Sequence, residues 1–359
     1  MQQLLAAGAD IHAADAMGYT VLHIAAAAAP AAAGGSHLVQ LLLDAEADVN
    51  VNSAADKESP LHLAAEQGDV DIVRQLLAAG AAVDGARESS YATPLHYAAK
   101  YGQLSAAREL LAAGADITAQ ASPPFLPPIR FMEDLTPLHL AAQHGHPEVV
   151  LLLLSGTHSA TSYSADILSR ALCDAIKHGN RSCSSLLIAA GALATADQRE
   201  TAMLAAIGAK DTAAVQQLLD AGVSPEIKMW GNFPVLHEAV GRQCGDTAVL
   251  ECLLAAGATV TAQDSYGMTA LMHAVCCGEV SHVKLLLAAA EASGGAAAVK
   301  AAVNQGCKHG STALHSAAWP GAAAAVTTLP LLLAAGADLD AAAEHKWTPL
   351  HEPGVVTWR

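Results

Sequence analysis

One short tetrad, Thr-Pro-Leu-His or a close variant, recurs along the whole chain, from Thr20-Val21-Leu22-His23 to Thr348-Pro349-Leu350-His351. Aligning its third residue gives Leu22, Leu61, Leu95, Leu138, Leu172, Met203, Leu236, Leu271, Leu314 and Leu350, and subtraction gives steps of 39, 34, 43, 34, 31, 33, 35, 43 and 36. Between occurrences runs a second marker, Leu-Leu-x-Ala-Gly-Ala, as at Leu76–Ala81, Leu110–Ala115 and Leu332–Ala337. A fixed period of this length means repeated units that each pack on their neighbours, so a chain of 359 residues need not divide into two or three compact domains.

One repeat shows how the sequence works locally. Asp264-Ser265-Tyr266-Gly267 reads as a turn, because Asp can bond its own backbone downstream and Gly tolerates positive φ. Thr269 then reads as a helix N-cap. In sister repeats Pro94, Pro137 and Pro349 take the first helical position, where a missing N–H costs nothing. Leu271 and Ala274 face inward, Gly278 ends the first helix, and Val280, Val283, Leu286 and Leu287 make the buried face of a second. Helices of two to three turns are marginal alone, so stacking must stabilise them.

The tetrad, a Gly seven residues after its Leu and a Leu-Leu-x-x-Gly-Ala run around a second Gly twelve further on hold at Leu61/Gly68/Gly80, Leu95/Gly102/Gly114 and Leu172/Gly179/Gly191. With these features the chain resembles the ankyrin-repeat family over essentially its whole length. The resemblance implies an all-α ankyrin-repeat solenoid of stacked helix-turn-helix units with projecting hairpin-like loops. Partners of such stacks bind at loop tips and on the inner helices of the concave face. The expected organisation is a single solenoid over 1–359, about ten repeats, incomplete at both ends.

Departures from the period point to insertions. Those at Ala26–Gly35 and around Ala292–Lys308 are Ala/Gly-rich and read as plain loop spacers. The third, within 119–135, contains Ser122-Pro-Pro-Phe-Leu-Pro-Pro-Ile-Arg-Phe131, whose paired prolines favour an extended conformation. It either presents Phe125, Leu126 and Phe131 or folds them onto neighbouring repeats. The tetrad degenerates at Ser169–Cys173 and Thr201–Leu204 while the spacing survives. Met1–Asp10 reads as half a repeat, and Pro353-Gly354 stops the last one within a turn.

The formal charge is −16, from 34 acidic against 18 basic residues. Such a surface repels phosphate backbones, so nucleic acid is not an expected partner, nor is direct membrane insertion; the expected partners are proteins with basic or apolar-aromatic surfaces. Seven cysteines, an odd number without C-x-x-C spacing, and no secretory signal after Met1 favour a cytoplasmic or nuclear setting.

Histidines are the residues that invite a chemical reading. Seven, His23, His62, His96, His139, His237, His315 and His351, belong to the tetrad, where the family resemblance gives them hydrogen bonds near the helix start and between repeats. His273, Cys276, Cys277 and His282 lie close in sequence but match no standard zinc spacing. Cys244 and Cys277 share a register in neighbouring repeats, at a separation too wide for a disulfide. No nucleophile elbow, phosphate loop or dinucleotide fingerprint appears. No catalytic residue, metal or cofactor is therefore expected.

What remains for binding are positions the repeat does not need. Turns ahead of the tetrads hold Tyr19, Tyr91, Trp230, Phe233, Tyr266 and Trp347; pairs ahead of the helix-ending Gly hold Lys100-Tyr101, His144, His178 and Trp319. Eight of the 13 aromatic residues fall in these two registers, and Phe125 and Phe131 add the inserted loop. Aromatics steered away from an Ala/Leu core are expected interface anchors. The function read from the sequence is a protein-interaction scaffold or adaptor without chemistry of its own. A second reading makes the repeats the recruiting region of a larger signalling enzyme, ubiquitin-ligase subunit or channel.

Overall fold

A computed structural model of the chain describes residues 8–28, 34–54, 57–85, 91–121, 135–155, 163–229, 233–242, 247–318 and 325–350. The chain divides into two compact units, 1–194 and 195–359.

The first unit is a run of helix pairs: α1 (Val21–Ala26) with α2 (Gly35–Asp44), α3 (Pro60–Gln67) with α4 (Val70–Ala78), α5 (Pro94–Lys100) with α6 (Leu104–Ala112), α7 (Pro137–His144) with α8 (Pro147–Ser155), and α9 (Ala165–Lys177) with α10 (Arg181–Ala189). First helices pack on first helices and second on second from one pair to the next, which gives two layers. The second unit repeats the plan with α11 (Ala196–Gly208), α12 (Thr212–Asp220), α13 (Val235–Arg242), α14 (Ala248–Ala255), α15 (Ala270–Cys277), α16 (Val280–Asn304), α17 (Ala313–Ala318) and α18 (Ala325–Ala334). A short hairpin, β1 (Lys228–Met229) against β2 (Phe233–Pro234), leads into α13, and isolated antiparallel bridges Ala14–Thr20, Ala121–Leu135 and Gln263–Thr269 lead into α1, α7 and α15. The fold is an all-α repeat solenoid.

The core follows the tetrad register. Leu22, Leu61, Leu95, Leu138, Leu172, Met203, Leu236, Leu271 and Leu314 are all buried, with Ala64, Ala98, Ala141 and Ala274 packed beside them. Small Ala side chains let successive helices approach closely, which suits a core with little aromatic content. Leu350 instead lies exposed in a turn.

Glycine sets the join between paired helices. Gly68 caps α3 at φ +77, and a Cβ there would overlap the Gln103 amide of the next repeat. That amide is held there because Gln103 Nε2 donates to the Glu66 carbonyl at 2.8 Å. His146 Nε2 and Asn180 Nδ2 repeat the device on the carbonyls of Lys100 and Ala142. Orphan carbonyls at the ends of α3, α5 and α7 are thus satisfied by the following repeat.

Two sequence expectations are corrected. The Ala/Gly stretch around 292–308 is largely helix rather than a loop spacer, because α16 runs through to Asn304. Alanine's high helix propensity carries the chain on, and the ladder breaks only at Gly294 and Gly295, the latter at φ +65. By length and composition α16 is the one helix among the described residues that could cross a membrane; its His282, Val283, Leu286, Ala302 and Val303 are buried against the stack. The degenerate tetrads at Ser169–Cys173 and Thr201–Leu204 are not helix starts. They lie inside α9 and α11, which begin earlier at caps Ser164 and Thr195.

Candidate functional site

The tetrad histidines come first, because they fix where each loop sits. The backbone N–H of Thr20 donates to His23 Nδ1 at 3.1 Å, with the Thr20 hydroxyl 3.0 Å from the same nitrogen. Since Nδ1 accepts, the ring proton sits on Nε2, which donates to the Glu58 carbonyl at 2.9 Å. Ser59/His62/Ala92, Thr93/His96/Leu135 and Thr312/His315/Trp347 repeat this arrangement. In every case the acceptor carbonyl immediately precedes the next repeat's cap. The histidine therefore stitches its own helix start to the following hairpin, a modified capping box with His at the third position. Burial drives the pKa of His96 down to about 4, with the carbonyl bonds to Leu135 and Ala119 opposing it, so the ring is neutral.

Two members depart from the pattern. His139 bonds its cap through Nδ1, but its Nε2 has no partner among the described residues. The physical reason is α9: by starting at Ala165 it takes the backbone ahead of Ser169 into a helix, where a hairpin carbonyl would otherwise face the ring. His237 shows the reverse. Its Nε2 donates to the Met268 carbonyl at 2.8 Å, while Nδ1 is buried without a partner among the described residues. Pro234 stands where every other tetrad except the degenerate one at Leu172 has Thr or Ser, and it offers neither an N–H nor a hydroxyl.

In the first unit, polar side chains from three successive repeats converge on Glu58. Tyr19 Oη donates to one carboxylate oxygen at 3.0 Å and Tyr97 Oη to the other at 2.6 Å. Tyr97 also stacks edge-on against His62, with ring centroids 5.3 Å apart, and lies 6.5 Å from Tyr101. Lys100 Nζ sits 5.0 Å from the Tyr101 ring centre, a cation–π distance. Beyond it His144 is held below the ordinary imidazole pKa, chiefly by burial and then by the charges of Lys100, His146 and His178. The result is an aromatic and charged strip over helix starts, ends and hairpin tips.

In the second unit a different set meets. Asp264 Oδ1 accepts from the N–H groups of Tyr266 and Met268, and Oδ2 pairs with His273 Nε2 at 3.0 Å. His273 lies edge-on to His237 at 5.2 Å between centroids, and Phe233 packs against both rings at 5.3 and 5.7 Å.

A model of ankyrin repeats (3 copies) matches residues 28–121, 138–229, 202–293 and 236–343, and one of ankyrin repeats (many copies) matches 95–154. The chain belongs to the ankyrin-repeat family. Ankyrin repeats are generally protein–protein interaction modules and typically non-catalytic.

Within that family frame the expected binding residues fall into three groups. Tyr91, Tyr101 and Tyr266 are exposed, at 61%, 41% and 68%, as are the side chains of Lys100, His144 and His178. Tyr19, Phe233 and Trp347 are half-buried: Tyr19 lies against His23 and Glu58, Phe233 against the two histidines, and the Trp347 backbone carbonyl accepts from His315. Phe125, Phe131, Trp230 and Trp319 lie outside the described residues, as does Cys244. The structure does not assemble His273 with Cys276, Cys277 and His282: the cysteines are exposed and His282 is buried on α16. His273 meets Asp264 and His237 instead.

Sequence reading missed Tyr97, Glu58 and Asp264 as site residues. The signal was there in one register, the residue directly after the tetrad's fourth position, which holds Tyr97 and His273 and, elsewhere, Ile24, Leu63, Leu140, Glu238 and Ser316.

Proposed function

We propose that this ankyrin-repeat chain is a scaffold or adaptor that holds a protein partner through hairpin tips and the adjoining first-helix face, without chemistry of its own. The Tyr19–Glu58–Tyr97–Tyr101 strip with Lys100 is the observation that carries this reading. At the Tyr97 register other repeats hold Ile24, Leu63, Leu140 or Ser316, so the repeat plan itself does not call for a tyrosine there. Tyrosine supplies large, rigid contact area at low entropic cost, the usual character of an interface anchor. With a net charge of −16, the partner surface is basic or apolar-aromatic rather than nucleic acid or lipid. The odd number of cysteines supports a reducing compartment, cytoplasmic or nuclear.

The test is partner capture by proximity labelling in the native cell. Wild type is compared with a Tyr91→Ala/Tyr101→Ala variant and with Trp230→Ala/Trp347→Ala. Partners should be lost from at least the tyrosine variant while helicity and melting temperature stay at the wild-type level. Undiminished recovery from both variants would reject the assignment of these tips.

A further inference from the structure

The repeat pattern breaks twice in adjacent repeats of the second unit, and both breaks converge on one spot. At the first, Pro234 replaces the cap Thr, and one His237 ring nitrogen has no partner among the described residues. His23, His62, His96 and His315 spend both nitrogens on cap and carbonyl. At the second, Met272 takes the tetrad His position and the histidine moves one residue on, to His273. That shift aims the ring at the hairpin carboxylate. In the first repeat Asp15 makes the same hairpin turn, accepting from Met17 and Tyr19, but the equivalent position nine residues on is Ile24. The shift puts His273 on this carboxylate, with a second imidazole, His237, within reach of both. Local rules broken together at one spot are where function is expected.

One ring nitrogen of His237, one of His273 and a carboxylate oxygen of Asp264 lie within 4.8 Å of one another. His237 and Asp264 are buried, and the His273 side chain is 25% exposed, so the cluster opens to solvent on one side only. Burial lowers the His237 pKa, so its ring is neutral, the form that ligates. Burial opposes ionisation of Asp264, but the His273 bond and the Met268 and Tyr266 N–H groups outweigh it and keep the carboxylate charged.

We propose that His237, Asp264 and His273 bind one borderline divalent transition ion of the Zn²⁺ class, with water completing the coordination on the His273 side. Two imidazoles and a carboxylate are the donor set such ions take, at about 2.0–2.2 Å each, which places tetrahedral ligand atoms roughly 3.4 Å apart. The His273–Asp264 pair is already near that spacing, and the ion enters where the shared hydrogen now lies. The His273 proton then moves to Nδ1, and the hairpin N–H groups on Asp264 Oδ1 remain as the supporting shell. Because His237 belongs to α13 and the other two to the next repeat, the bound ion ties two repeats together.

The experiment uses the full chain, stripped with chelator and titrated with Co²⁺ and then Zn²⁺ at pH 7.5. The expected result is one equivalent of Co²⁺ with a weak visible band and no intense near-ultraviolet thiolate band. Zn²⁺ should displace it and raise the melting temperature to a plateau. His273→Gln keeps an N–H donor for Asp264 but removes the imidazole ligand, and should weaken binding by more than the roughly 100-fold that loss of an outer-shell partner costs; His12→Ala, at an exposed position, should leave it unchanged. Independently of any variant, Zn²⁺ should move the ring-nitrogen resonances of two histidines only. An absence of saturable binding, affinity unaltered in His273→Gln, a thiolate band, or shifts at other histidines would each overturn the site.

Discussion

Acidification should destabilise the first unit through two buried rings, His96 and His139. Each has its pKa pushed from 6.5 down to about 4, primarily by burial. A base with a depressed folded pKa binds more protons when unfolded. Its contribution is therefore whole above pH 6.5 and is lost as pH falls toward 4. At about 1.36 kcal/mol per pKa unit, integration from pH 7.5 to 5 gives about 2 kcal/mol per ring and about 4 kcal/mol for both. His23, lowered in the same direction by burial, adds to the effect. Loss of carboxylate self-repulsion on a chain of charge −16 acts the other way, so the clean measurement is a difference. His96→Gln should be less stable than wild type at pH 7.5, because a smaller, more flexible amide must replace the packed ring in bonding both the Thr93 cap and the Leu135 carbonyl. By pH 5 that gap should have narrowed by about 2 kcal/mol, since glutamine has no proton to gain. Urea unfolding followed by circular dichroism at the two pH values measures the gap, and ring NMR should show His96 still neutral at pH 5. Wild-type and variant stabilities that fall in parallel between pH 7.5 and 5 would refute the argument.

Other substitutions isolate other parts of the repeat. Gly102→Ala should lower the melting temperature more than Gly80→Ala: both carry positive φ, costing about 1–2 kcal/mol for a side chain, but only at Gly102 would a Cβ overlap the His146 ring bonded to the Lys100 carbonyl. Pro234→Thr should stabilise the second unit by about 1 kcal/mol in chemical denaturation, because it returns a backbone N–H and a hydroxyl to the orphaned His237 Nδ1; a loss of stability would show that proline's stiffening of the unfolded chain outweighs the bond. Tyr97→Phe removes the 2.6 Å phenol–carboxylate bond to Glu58 while leaving the ring stack. It should cost about 1 kcal/mol in urea unfolding and weaken partner capture less than Tyr101→Ala does.

The fold was legible because its signals are local and repeated. A Thr or Ser cap, a first-position Pro and a αL Gly each dictate backbone geometry within one turn, and Ser59, Pro60 and Gly68 do so in the structure as the sequence implies. The misreadings came where a weaker signal competed with the period. Thr195 and Gln198 form a capping box that starts α11 ahead of the degenerate tetrad, and Ser164, a simple N-cap accepting from the Ile167 N–H, starts α9; fixed spacing concealed both. Ala296–Ala302 looked like spacer because insertions usually sit in loops, yet its composition favours helix. The candidate sites were less visible, since they depend on which residues face each other across repeats. Glu58 gains its meaning only from Tyr19 and Tyr97, which stand 39 residues before and after it.

The departures are informative because the rule they break is so regular. A tetrad histidine with both nitrogens engaged rigidifies a hairpin and leaves nothing for a ligand. Where the following helix starts early, as at His139, the ring has no inter-repeat bond among the described residues, and packing around Leu138 and Leu172 joins those repeats. Where the cap is proline, as at His237, the inter-repeat bond survives and Nδ1 has no partner among the described residues. The two cases have opposite consequences. A missing Nε2 bond weakens a seam between repeats, whereas His237 keeps its seam bond and still lies within reach of a second histidine and a buried carboxylate. In a repeat protein, chemistry is therefore most readily acquired at the cap position, because a change there frees a side chain while the stacking contacts that fold the array remain intact.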